Sequence, residues 1–454
     1  MCRRDLAHCI SYKMRFFIKS YGCQMNSHDS QRISSILSVA GHEVAPSLNE
    51  ANLVILNTCS IRDKADEKVF SDLGRLKFLK CKAIDDFLII VAGCMAQLRS
   101  RDIIKRAPYV NAIIGPQNIH QLADCIDDLL KNKAIDAIVA TSMDVAGKFQ
   151  AMSSASPKAA DGVSAFLTIQ EGCDNFCTYC IVPFTRGRQI SRSLTDIRDE
   201  ARRLTFAGVK EITLVGQNVN AYNGDEGNNE KCDFSHLLFE LSKTEGLKRL
   251  RYTTSHPKYI NSNIALAHRE IEILAPHLHL PVQSGSNDIL KQMNRRYTRD
   301  EYLRAIDLLR ESRQDMAFSS DFIVGFPGET DRDFEQTLEL VREVRYTQAY
   351  SFKYSPRPGT IAAKMENQVP EEVKSERLQI LQELLDDQQT QFNSGFVHRR
   401  LSVLFTKNGH HENQLTGRSE YSQAVSIYDK TISIGDIVDV QIIEVATHSL
   451  IGML

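Results

Sequence analysis

Three short apolar runs, each ending in a cysteine, restrict this chain more than any other feature. Arg15–Ser20, Asn52–Asn57 and Phe87–Ala92 are rich in strand-forming residues and lead into Tyr21-Gly22-Cys23, Thr58-Cys59 and Gly93-Cys94. The cysteines stand 36 and 35 residues apart, the length of one strand with its returning helix. Ser27–Ala40 and Asp63–Leu79 carry helical spacing between the strands, Gly41 stops the first helix, and Ala112–Gly115 reads as a fourth strand. Such alternation builds a doubly wound α/β domain around a parallel sheet. Cys23, Cys59 and Cys94 then leave the carboxyl edge of one sheet, where folds of this class bind ligands. One cysteine there is ordinary core. Three in one structural phase read as the ligands of an iron–sulfur cube with one open iron.

A second triplet follows the apolar strand Ala165–Gln170, in Glu171-Gly172-Cys173-Asp174-Asn175-Phe176-Cys177-Thr178-Tyr179-Cys180. A structural zinc site closes with four protein ligands, and no fourth Cys or nearby His completes this loop. A cube held by the thiolates of Cys173, Cys177 and Cys180 keeps an iron open for something other than protein. Further runs at Glu211–Gly216, Arg251–Thr254, His277–Pro281, Asp321–Phe326 and Tyr350–Tyr354 bring the strands to about six. That number fits a partly open (β/α)6-type barrel. Gln217, Asn218, Ser255, His256, Gln283 and Ser284 stand at strand ends and are candidates for the site. Gly325, Pro327 and Gly328 read as turn formers, and His279 as a hydrogen-bonded core histidine. Arg186 and Arg188 are candidates for phosphate contact. The arginines from Arg192 to Arg203 read as a solvated helix face.

Residues 141–162, rich in Ala, Ser, Met and Gly, read as a linker, and Glu371–Gln391 as a connecting helix. From Leu401 the pattern alternates, with strands expected at Leu401–Phe405, Val425–Ile427, Ile432–Ile434 and Val438–Ile442. This reads as a small antiparallel β-barrel. The domains are expected at 14–131, 159–390 and 392–454. Eleven cysteines diluted through 454 residues favour metal ligation in a reducing compartment over disulfides. Cys2, Cys9, Cys81, Cys125 and Cys232 have no motif around them. No run of eighteen apolar residues indicates a membrane span. The first fourteen residues lack the apolar core of a signal peptide, Met14 reads as an alternative start, and a cytoplasmic protein is expected. A net charge of −2 gives no global nucleic-acid footprint, so any such contact rests on local patches.

Longer motifs carry a resemblance. YGCQMN at 21–26, NTCSIRDKA at 57–65, GCMAQ at 93–97 and EGCDNFCTYC at 171–180 come first. LVGQNVNAY at 214–222, HLPVQSGS at 279–286, DFIVGFPGET at 321–330 and YSPRPGT at 354–360 follow, with GRSEY at 417–421 and IGDIVDV at 434–440 in the tail. Together they resemble the methylthiotransferase family of radical S-adenosylmethionine enzymes, ending in an RNA-binding TRAM domain. The likeness runs from Met14 to Leu454 and is strongest to the isopentenyladenosine branch.

The resemblance implies two [4Fe-4S] clusters, at Cys23/Cys59/Cys94 and at Cys173/Cys177/Cys180, with S-adenosylmethionine as cofactor. Gln217, Asn218, Ser255, His256 and Gln283 are the candidates for holding that cofactor. The implied reaction adds a methylthio group to C2 of N6-isopentenyladenosine next to the tRNA anticodon. A radical made at the second cluster removes the C2 hydrogen, and the first cluster delivers methylated sulfur. Partners implied are tRNA, an external electron donor and a sulfur source, with no membrane. Two substrates remain open within the chemistry, threonylcarbamoyladenosine in tRNA and a ribosomal-protein aspartate. Outside it stands a non-catalytic iron–sulfur RNA-binding protein. Residues 392–454 are not basic overall, so RNA contact there rests on a few cations such as Arg399, Arg400 and Arg418.

Overall fold

The computed structural model of the chain describes residues 13–22, 24–60, 63–83, 86–132, 137–145, 147–149, 162–227, 230–447 and 449–454. It forms two compact units, one of Met1–Lys158 with Ile181–Gly187, the other of Ala159–Cys180 with Arg188–Leu454.

In the first unit, the apolar runs at 53–58, 88–93 and 112–114 become strands buried at every position, as parallel strands covered on both faces must be. In chain order it holds β1 (Arg15–Ser20), α1 (Gln24–Val39), β2 (Glu43–Val44), β3 (Leu53–Thr58) and α2 (Asp63–Lys82). Then come β4 (Leu88–Gly93), α3 (Cys94–Arg106), β5 (Ala112–Ile114), α4 (Leu122–Lys131), β6 (Ile138–Ala140) and α5 (Val182–Arg186). The sheet order is β2-β1-β3-β4-β5-β6, parallel throughout. Leu53 and Ile55 pack with Ile33, Leu37 and Ile126 on one face. Val54 and Leu56 pack with Leu73, Leu76 and Ile103 on the other. The sheet is therefore doubly wound, as the alternation implies.

The four expected strands form within a residue or so of their expected ends, and α1 begins earlier than expected. Residues 141–149 are not plain linker. Val145 and Phe149 are buried in a small cluster of their own, and buried Lys148 lies 3.6 Å from Asp29. Residue 146 and residues 150–161 of the expected linker lie outside the described residues.

The second unit opens with β7 (Ser164–Thr168), β8 (Gln170–Glu171), β9 (Ile190–Ser191), α6 (Leu194–Phe206) and β10 (Glu211–Val215). A hairpin of β11 (Asn223–Gly227) and β12 (Glu230–Asp233) leads to α7 (Phe234–Ser242), β13 (Arg249–Tyr252) and α8 (Ser262–Glu270). Next are β14 (His277–His279), α9 (Asn287–Gln292), α10 (Arg299–Ser312), β15 (Ala317–Val324), α11 (Asp331–Val344) and β16 (Gln348–Lys353). Six parallel strands thus form two halves, β13-β10-β7 and β14-β15-β16. No pairing among the described residues joins β7 to β16, so the barrel is partly open. Leu167, Ile212, Leu214, Leu250, Tyr252, Phe318 and Phe322 alternate into the core under the helices. The residues between them, Glu211, Arg249, Arg251 and Asp321 among them, face inward because strand side chains alternate.

Helix α12 (Glu371–Ser394) leads to β17 (Arg400–Asn408), β18 (Gln414–Ser419), β19 (Ala424–Tyr428), β20 (Ile437–Ala446) and β21 (Ser449–Met453). These close as β17-β18-β19-β21-β20. The expected strand at Ile432–Ile434 does not form. The Asp436 carboxylate accepts the Ser433 N–H at 2.8 Å and Gly435 has φ +101°, which makes a turn. Strands β18 and β21 escape the apolar alternation because Gly417 and Gly452 interrupt it. The barrel is not wholly antiparallel, since β19 and β21 pair in parallel.

Candidate iron–sulfur and cofactor site

Strand ends create the first edge. Cys59 directly follows β3 and Cys94 opens α3 directly after β4, both buried at the carboxyl edge. Gly22, with φ +104°, ends the loop after β1, and a Cβ there would lie 2.2 Å from Cys59 Cβ and 2.5 Å from its Sγ. Gly93, with φ +94°, is as tightly placed, because a Cβ would meet the Thr58 carbonyl at 2.3 Å. The glycines before Cys23 and Cys94 thus allow the strand ends to approach. Asn26 on α1 donates its amide to the Thr58 carbonyl at 2.7 Å, and the Asn57 amide donates back to the Asn26 carbonyl at 2.8 Å. Cys23 itself lies outside the described residues.

One further cation shapes this unit. Arg186, a candidate for phosphate contact, is instead buried, its Nη2 2.6 Å from Asp29 Oδ2. Its carbonyl accepts the Gln117 amide at 2.9 Å. A side chain with these partners has a structural task. Arg188, in the second unit, is 75% exposed beside Asp174 at 2.8 Å and stacks 5.5 Å over the Phe176 ring. Arg192 is no solvated face either, for its buried guanidinium bonds the Thr168 carbonyl and Glu200.

The second cysteine loop leaves the carboxyl end of β7 through β8, which pairs antiparallel with β9. Cys173, Cys177 and Cys180 are half-buried on it. Distant segments hold the loop. Thr178 N–H donates to the Met293 carbonyl at 3.1 Å, and Ala362 N–H to the Thr178 carbonyl at 2.9 Å. The Asn294 amide bonds the carbonyls of Asn175 and Phe176, and Phe176 is held at φ +49°. Arg295, buried, places Nη1 3.7 Å from Cys177 Sγ. Its other donors go to Tyr297 Oη at 2.9 Å and the Pro281 carbonyl at 2.8 Å. Among the described residues no three His, Cys, Asp or Glu side chains gather as single-ion ligands. A cube takes one thiolate per iron corner, so its ligands stand further apart than those of one ion, and the donor set on this loop fits a cube.

Beside the loop lie polar atoms that the protein leaves unbonded. The Gln217 carbonyl oxygen accepts the Gly172 N–H at 2.6 Å, while its Nε2 makes no hydrogen bond among the described residues. The same holds for both amide atoms of Gln170, Ser255 Oγ and His256 Nε2, all buried. Burying such groups unpaired is costly, so the set fits a polar ligand with several donors and acceptors. S-adenosylmethionine has an amino group, a carboxylate, ribose hydroxyls and an adenine, and meets that description. Burial, helped by the charges of Arg295 and Lys258, pushes His256 down to about 2, so its ring is neutral. The ring stands edge-on to Tyr259 at 5.7 Å and Tyr297 at 5.3 Å. Asn218 is buried at the same strand end. Gln283 has φ +76°, a strained conformation for a residue with a side chain, locked by backbone bonds to Asp321 and Ile323. Ser284 is spent on the Ser286 N–H. His279 bonds Ser319 at 3.0 Å and lies 3.4 Å from Asp321. Gln170 and Arg295 escape the sequence reading, although Arg295 sits in the notable run Asn294-Arg295-Arg296-Tyr297.

Family models match three stretches: Radical SAM superfamily at 167–341, Uncharacterized protein family UPF0004 at 15–115, and TRAM domain at 396–454. A tRNA-2-methylthio-N(6)-dimethylallyladenosine synthase of Bartonella henselae is 49% identical over 442 residues, 96% of each chain. One from Agrobacterium fabrum is 49% identical over 445 residues, 97% of each chain. The chain belongs to this synthase family. Solved structures share the fold at low identity. The radical S-adenosylmethionine methyltransferase TsrM of Kitasatospora setae is similar with a TM-score of 0.56 at 13% identity, over 77% of this chain and 74% of that one. The cobalamin-dependent radical enzyme OxsB gives 0.51 at 13%, over 83% and 56%. Membership makes S-adenosylmethionine and two [4Fe-4S] clusters the cofactors of this synthase family member. No helix among the described residues is long and apolar enough to cross a membrane.

Proposed function

We propose that the chain transfers a methylthio group to C2 of N6-isopentenyladenosine beside the anticodon of tRNA. The observation that carries this is 49% identity over 96% of the chain to synthases of that name. We assign one cluster to Cys173, Cys177 and Cys180, the other to Cys23, Cys59 and Cys94, in parts spanning 159–390 and 14–131, with the TRAM part at 392–454.

When bound, the clusters and S-adenosylmethionine supply the radical and the sulfur that C–H functionalisation needs. The protein's own residues position and exclude. Met293, Asn294 and Ala362 fix the cysteine loop through its Thr178, Asn175 and Phe176 backbone groups. Gln170, Gln217, Ser255 and His256 offer the unspent donors and acceptors, and Asn218 and Gln283 shape the same wall. Neutral His256 binds through hydrogen bonds alone, without adding a second cation beside a sulfonium. An external electron donor and a sulfur source complete the cycle in the cytoplasm.

Nucleoside analysis of tRNA from cells lacking the protein tests the assignment. Isopentenyladenosine should accumulate in place of its 2-methylthio form. A normal methylthio level, with loss of modification on threonylcarbamoyladenosine or a ribosomal-protein aspartate, overturns it. Absence of reductive S-adenosylmethionine cleavage by the reconstituted protein would instead leave an iron–sulfur RNA-binding protein.

A further inference from the structure

The amino ends of β7, β10 and β13 lie opposite the cysteine loop, at the other end of the half-barrel. Three charged or polar side chains meet there on its inner face: Glu211 at the start of β10, with Arg249 and Arg251 on β13. Arg251 Nε donates to Glu211 Oε2 at 2.8 Å, Arg249 Nη1 lies 3.5 Å from the same oxygen, and Ser164 Oγ donates to Glu211 Oε1 at 3.1 Å. All three charged side chains are buried, at 8% exposure or less. Within the half-barrel two guanidiniums share the one Glu211 carboxylate, so compensation must come from outside it, and the Glu420 carboxylate of the C-terminal barrel lies near enough to act on both.

The C-terminal barrel supplies it. Arg249 donates to the carbonyls of Arg418 at 3.0 Å and Ser402 at 3.1 Å, and to Ser402 Oγ at 3.2 Å. Arg251 donates to the carbonyls of Glu420 at 2.8 Å and Ser419 at 2.7 Å, and to Ser422 Oγ at 3.0 Å. Four main-chain carbonyl dipoles thus point at the two cations, which is how a buried guanidinium is satisfied. Apolar contacts surround the patch. Tyr421 packs 5.3 Å from Phe396 and 5.8 Å from Phe392, and a Cβ at Gly435 would stand 3.1 Å from Val163.

We infer that the turn Ser419–Ser422 of the TRAM barrel is the floor of the radical SAM half-barrel, with Arg249 and Arg251 as the positioning residues that seat it. The inference rests on this geometry and not on which substrate is modified. A module tethered only to bring RNA would leave the catalytic strands complete without it. Here the strands carry buried donors that only the barrel satisfies among the described residues. The floor closes the inner face at the end away from the cysteine loop and keeps water from entering there.

The test uses the full chain, reconstituted anaerobically. In the wild type, hydrogen exchange should show peptides of 400–428 opening together with peptides of 209–215 and 247–253. Opening of 400–428 more than a hundredfold faster than the two strands overturns the inference without any variant. In Arg249→Met/Arg251→Met, both sets should lose protection at least tenfold while peptides of 53–58 and 88–93 keep theirs. S-adenosylmethionine cleavage measured without tRNA should fall at least tenfold. Arg251→Lys keeps the charge but cannot fork between Glu211 and two carbonyls, so it should not restore either readout. Restoration by lysine, or unchanged exchange in the double variant, refutes the floor.

Discussion

A guanidinium buried 3.7 Å from a thiolate changes the energy of every charge state of what that thiolate holds. Arg295 favours the more negative, reduced state of the cluster assigned to its loop. Arg295→Gln should therefore lower the midpoint potential of that cluster, read by redox titration with paramagnetic resonance detection, while leaving iron content at wild-type level. An unchanged potential removes Arg295 from electronic control and leaves it a loop anchor. In the first unit the buried charge is Asp29, paired with Arg186 and Lys148. Burial alone would raise its pKa, but Arg186 and Lys148 outweigh burial and hold the carboxyl below its usual 3.8. A depressed folded value means that its stabilisation is complete above the ordinary carboxylate range and is lost as pH falls below 3.8. Asp29→Asn leaves two buried cations facing each other, a loss of about 3–5 kcal/mol. Denaturant unfolding from pH 7 down to pH 3 should show that loss at neutral pH and a flatter acid limb. Equal stability of the two proteins at pH 7 would mean that the ion pair contributes nothing net.

At the scale of elements, the edge formed by β1, β3 and β4 has no room to spare. A methyl group at Gly22 would overlap Cys59, so Gly22→Ala should push the ends of β1 and β3 apart. Iron at the first cluster should fall while reductive S-adenosylmethionine cleavage survives, measured by iron analysis and 5′-deoxyadenosine release. Full iron retention would show that the edge is softer than it looks. Strands β3 and β4 are legible in the sequence because burial on both faces demands unbroken Leu, Ile and Val. Strands β2 and β6 are not, because two or three partly exposed residues carry no period. The cysteines are legible because spacing fixes their phase. Arg186 is misread for a physical reason: an arginine beside a polar loop looks solvated, and the carboxylate that buries it lies 157 residues away. Arg295 and Gln170 acquire meaning only when the chain closes over the loop, which local pattern does not record.

Across the whole molecule, two independent cubes should give about eight irons per chain. Replacing Cys173, Cys177 and Cys180 by Ala should halve that number, and a triple variant that keeps all its iron would overturn the ligand assignment. The C-terminal barrel has a bearing on ancestry. Glu211, Arg249 and Arg251 are costly residues for strands of a catalytic core unless something covers them. A lineage that sheds the barrel inherits three stranded charges, and one that acquires it gains nothing until those charges appear. The two events are expected to travel together. Radical SAM proteins of this architecture without a TRAM segment should carry apolar or small residues where this chain has Glu211, Arg249 and Arg251, and a comparison of such sequences can refute the coupling by finding the trio intact.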